Sequence, residues 1–121
     1  VTETLSTALL LEMKKRAAPG LIQQTVHEIL TDEITHSRIG WAELARASQA
    51  RDVSWLSSYI PAMTRAAFTS DIKPMLNNGK DPQDVSEWGI LPPAEAQLIM
   101  QETINDVILP GLLRYNVKAT G

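Results

Sequence analysis

The chain has 121 residues, 44% hydrophobic and 21% charged, with 11 basic against 14 acidic side chains and a net charge of −3. That length and balance suit one globular domain, and a mildly acidic chain of mixed signs argues against a nucleic-acid or membrane-surface binder. The absence of Cys excludes a disulfide framework, a thiolate metal site and a Cys nucleophile, and no apolar run reaches the roughly 18 residues of a bilayer span.

The predicted elements are all helical, because no stretch alternates apolar and polar residues for long enough to form a strand. Residues 2–17 form a first helix that ends in Lys14, Lys15 and Arg16, cations suited to the negative end of the helix dipole, and Pro19-Gly20 stops it. Residues 21–49 form one long helix with Gly40 as its weak point. Asp52 is positioned to cap a third helix, which Pro61 kinks or restarts so that 61–72 is its second half. Residues 73–92 read as a Pro/Gly-rich loop with at most a short turn at 85–88. Pro93 then opens a last helix with Glu95 in its first turn, and Pro110-Gly111 is expected to break it, leaving 112–117 as a docked tail.

Chemistry concentrates at Asp32-Glu33-Ile34-Thr35-His36. A Glu and a His three residues apart share a helix face, so both can reach one metal ion. The same spacing also suits a solvated Glu beside a partly buried His. The face favours the ligand reading: the apolar stripe of the second helix runs through Val26, Leu30, Ser37, Gly40 and Leu44, and Glu33 falls on it with His36 beside it. A carboxylate on a core stripe is costly to desolvate unless something meets it there.

In the first helix, Met13, Leu10 and Ser6 trace an inward register back to Glu3. An antiparallel hairpin about Pro19 sets Glu3, Glu33 and His36 at one height, although a first-turn acid also simply suits the dipole. The same pairing sets Val1 opposite Ser37 and leaves residues 38–49 without a partner in the first helix. We therefore expect that helix to continue upstream in a longer protein. His27 lies off the stripe, and Glu12 and Glu28 are expected to be solvated.

Glu3, followed 29 residues later by Asp32-Glu33-x-x-His36, resembles the second half of a ferritin-like di-iron carboxylate bundle. Gly40-Trp41, Gly89-Ile90-Leu91-Pro92 and Val107 through Leu112 are similar in texture to the tail of bacterial ferritin-like domain proteins. The resemblance implies an all-α fold: a ferritin-like helical hairpin over residues 1–50, half of a four-helix bundle, with residues 51–121 as helices packed on it in one domain. It implies Glu3 and Glu33 as carboxylate ligands and His36 as the imidazole ligand. Asp32 resembles the acid that orients a histidine of the opposing half, and a plain surface acid fits equally. The implied cofactor is a pair of iron (or manganese) ions with oxygen- or peroxide-linked redox chemistry.

Such a site needs four carboxylates and two histidines, so a homo-oligomer or an N-terminal half of the same protein must complete it. An iron-storage role would further need a closed shell. The competing expectation is a non-catalytic helical interaction or oligomerisation module. Trp41, Trp55 and Trp88 are expected as core or interface anchors, since no basic groove accompanies them. No Gly-x-Ser-x-Gly, Ser/His/acid set or phosphate loop appears, and with neither signal peptide nor membrane span the expected compartment is cytoplasmic.

Overall fold

The computed structural model describes residues 1–71 and 91–119, and all regular structure among them is helical. In chain order these are α1 (Thr2–Arg16), α2 (Leu21–Ala50), a 3-10 turn (Ser54–Tyr59), α3 (Ile60–Asp71), α4 (Pro93–Thr103), a π turn (Ile104–Ile108) and α5 (Leu109–Leu113). The expected loop at 73–92, with Trp88 and Met75, lies outside the described residues apart from its last two positions.

Helix α1 is the central element: it pairs with α2 and also packs on α3 and α4. Its sequence prepares it for this, because Leu5, Leu9, Leu10, Leu11 and Met13 spread apolar surface around the helix rather than along one stripe. Leu5 is fully buried, and Val1, Leu9 and Met13 pack against the same core as Val53, Ile60, Ala67, Ala96, Met100, Ile108 and Leu112. The inward register is therefore Val1–Leu5–Leu9–Met13. Glu3 is out of phase with it and exposed.

The turn between α1 and α2 needs Gly20, whose φ of 131° is a conformation that side chains other than hydrogen resist. Ala17, Val26 and Leu30 are buried near this end of the hairpin. On α2 the buried and half-buried positions run through Val26, Leu30, Glu33, Ser37, Trp41 and Leu44, close to the expected stripe except that Trp41 replaces Gly40.

Asp52 does not take the N-cap position as expected: Val53 holds it without a side-chain bond. Asp52, one residue earlier, closes a turn in which Oδ1 accepts from Ser54 N at 3.0 Å and Oδ2 from Ser54 Oγ at 2.9 Å, ahead of an element that is 3-10. Pro61 sits in the first turn of α3, where its missing N–H costs nothing. Pro93 and Glu95 open α4 as expected. Arg16 at the end of α1 pairs with both Glu95 and Glu12, so Glu12 is tied down rather than solvated; Glu28 is exposed. The Glu95 hydrogen bond raises the Arg16 pKa.

Pro110 does not end the last helix. The chain passes through it into α5 because the widened π turn lies where a proline ring would otherwise meet the Asp106 carbonyl four residues back. The helix stops instead at a Schellman motif. Asn116 takes a left-handed φ of 61°, Val117 N donates to Leu112 O at 3.1 Å, and Asn116 N donates to Leu113 O at 3.0 Å. Val117 and Leu112, the apolar pair of that motif, are both buried. Lys118 N donates to Ser57 Oγ at 2.8 Å and pins the tail to the 3-10 turn.

This C-terminal segment answers the expected overhang of α2. Trp41, Leu44 and Ala47 pack on the core that holds Ile108 and Leu112, and Gly111 lets the Trp41 ring approach its backbone. No described helix is long and apolar enough to cross a membrane.

Candidate functional site

The register of the hairpin determines which site residues can meet. Thr4 Oγ1 lies 2.8 Å from Ser37 Oγ, and the Trp41 indole Nε1–H donates to Thr4 Oγ1 at 3.0 Å. Thr4 is thus level with Ser37, where the expectation put Val1. The pairing therefore centres between Gly20 and Leu21 rather than on Pro19. In the observed register Glu3 is level with Arg38 and Glu33 with Ala8. The two carboxylates are therefore five residues apart along the axis, about 7 Å.

His36 falls between them. With Glu3 it lines a cleft of about 100 Å³, walled also by Thr4, Ser37, Trp41 and Leu112. Glu33 does not line that cleft, but its Oε1 is 3.6 Å from His36 Nδ1. That is too long for a good hydrogen bond and short enough for both groups to face one cation. The Glu33 side chain is 25% exposed and the His36 side chain 58%, so the Glu is half-sunk into the hairpin while the imidazole reaches solvent.

Asp32 is exposed, as is His27. Neither makes a side-chain hydrogen bond among the described residues. The described residues contain no group of three or more His, Asp or Glu side chains placed to hold a metal ion. Within one chain, then, the residues fit half of a coordination sphere at most: Glu33 with His36, or Glu3 with His36, but not the three at once. A six-ligand, two-metal centre is not assembled by this hairpin.

The Thr4–Ser37–Trp41 chain of hydrogen bonds was not visible in the sequence as a unit. Ser37 was legible as a stripe position and Trp41 as an anchor, yet nothing but the register brings Thr4 to both. The bonds satisfy polar atoms that are half-buried between the helices, and no buried side-chain polar atom among the described residues lacks a partner.

No protein-family model, curated protein or solved structure matches this chain.

Proposed function

We propose that this chain is a helical module carrying half of a carboxylate–histidine metal site, completed when a second helical pair docks beside α2. The observation that carries the reading is the Glu33–His36 pair. A half-buried carboxylate sits 3.6 Å from an exposed imidazole, on a stripe whose flanking positions Leu30 and Ser37 are buried and half-buried. Placing an acid there costs desolvation that a cation would offset. The resemblance to half of a ferritin-like bundle supports the same reading, with iron or manganese as the metal of choice for carboxylate and imidazole donors. Such ions would supply redox chemistry toward oxygen or peroxide when bound. This chain's own residues would present ligands from Glu33 and His36 and hold the helix rigid through the Thr4–Ser37–Trp41 bonds.

A second reading is favoured by a different observation. Glu3 and Glu33 lie at different heights, and hydrogen bonds already fill the hairpin interior near Glu3. A helical interaction module without metal chemistry needs nothing more. Metal analysis of protein purified from iron-rich medium separates the two. The metal reading expects bound iron or manganese that is lost in Glu33→Ala and His36→Ala. Less than about 0.2 equivalents of any transition metal, unchanged in either variant, leaves the interaction module.

A further inference from the structure

Resting on the metal reading above, we infer that the second helical pair is another copy of this chain, and that a single ion lies on the two-fold axis between them, held by Glu33 and His36 of each copy. The first argument is the count of donors. One chain presents two adjacent ligands, and the five-residue offset keeps Glu3 from joining Glu33 as a third. A two-fold axis doubles whatever faces it, so two ligands become four: two imidazole nitrogens and two carboxylates. That set meets the coordination of zinc, iron(II) or manganese(II) without further protein ligands.

The second argument is the flank on which the pair stands. Ile22, Val26, Ile29, Glu33, His36 and Gly40 follow one another at steps of four and three, the spacing of a seam between paired helices. Within one chain the seam is only partly covered. Val26 is buried against the hairpin, whereas Ile29, one turn before Glu33, is 46% exposed. Gly40, one turn after His36, is exposed, and a Cβ built on it would touch nothing within 4 Å. The ligand pair is thus bracketed by an apolar contact on one side and room for close helix approach on the other. An isologous interface opposes this patch to itself, so a second copy needs nothing that the chain does not already carry.

The test is equilibrium sedimentation of the full chain during titration with zinc(II), with stoichiometry from bound-metal analysis. The expected result is a metal-dependent dimer with one ion per two chains. Glu33→Gln and His36→Ala should each weaken zinc binding by at least about 100-fold, with Glu3→Gln unchanged within about twofold. Ile29→Glu keeps every ligand and should abolish the dimer by setting like charges across the axis. Circular dichroism confirms that each variant is helical. Zinc bound by a monomer, two ions per dimer, or a loss of binding in Glu3→Gln each overturns the two-fold site while leaving the metal reading in place. Absence of binding of zinc(II), iron(II) and manganese(II) by the unaltered chain overturns both.

Discussion

Thr4 Oγ1 and Ser37 Oγ, 2.8 Å apart and 33 residues apart in sequence, set the register of the α1–α2 hairpin. The Trp41 indole bonded to the same Thr4 hydroxyl extends that link by one helical turn. Because antiparallel helices slide as rigid bodies, this one pairing decides the height of every other residue on both helices. Glu3 comes level with Arg38, and Glu33 with Ala8.

Thr4→Val keeps the shape of the side chain but removes the hydroxyl, leaving the Trp41 N–H and the Ser37 hydroxyl without their shared partner. The expected cost is about 1–3 kcal/mol of stability, the penalty for polar groups stranded in a partly dry contact. Urea unfolding should show a lower midpoint with an unchanged slope. An unchanged midpoint would mean that water replaces the hydroxyl freely and that the register rests on apolar contacts alone.

Gly111→Ala places a methyl 2.8 Å from Trp41 Cη2 and 3.1 Å from Cζ3, against a ring held at its other end by Thr4. Overpacking of this kind costs about 1–3 kcal/mol. The indole must shift, so near-UV circular dichroism should change together with the melting temperature. A change in neither would show that α5 and α2 separate without cost.

Acid should weaken the junction between α2 and the 3-10 turn. The Ser54 backbone N–H, then the Ser54 hydroxyl, hold the Asp52 carboxyl below its ordinary value of 3.8. A depressed folded-state pKa contributes stability that is present above the unfolded value and lost as pH falls through the folded one. The stability advantage of the unaltered chain over Asp52→Ala should therefore be constant above about pH 5 and shrink on acidification below about pH 4. An advantage that is flat across that range would assign the Asp52–Ser54 turn to geometry rather than to charge.

Much of the fold was legible from local chemistry. Lys14-Lys15-Arg16 before Pro19-Gly20, Asp52 before Ser54, and Pro93 with Glu95 each mark a helix end through a preference that acts within one turn. The stripe through Val26, Leu30 and Ser37 likewise follows from helical spacing, which needs no knowledge of what covers it. Pro110 was misleading for the opposite reason. Whether a proline breaks a helix depends on the preceding carbonyls, and the π turn at Ile104–Ile108 that moves them aside has no local signature.

The inward face of α1 was not legible in the sequence either, because Leu5 and Leu9 offer as good a stripe as Leu10 and Ser6 when a helix is apolar on several sides. Packing on α2, α3 and α4 together chose Leu5.

Residue types and intervals by themselves determined the helical character of the described residues, most of the helix boundaries there, and the proximity of Glu33 to His36, since residues three apart on a helix share a face. Only the tertiary structure decided that Glu3 stands apart from Glu33, and that the C-terminal helices, around Gly111 and Leu112, cover the far end of α2. The reason is one of range. Dihedral preferences and helical periodicity act over a few residues, whereas the height at which two helices pair is settled by contacts such as Thr4–Ser37 that exist only once both are folded.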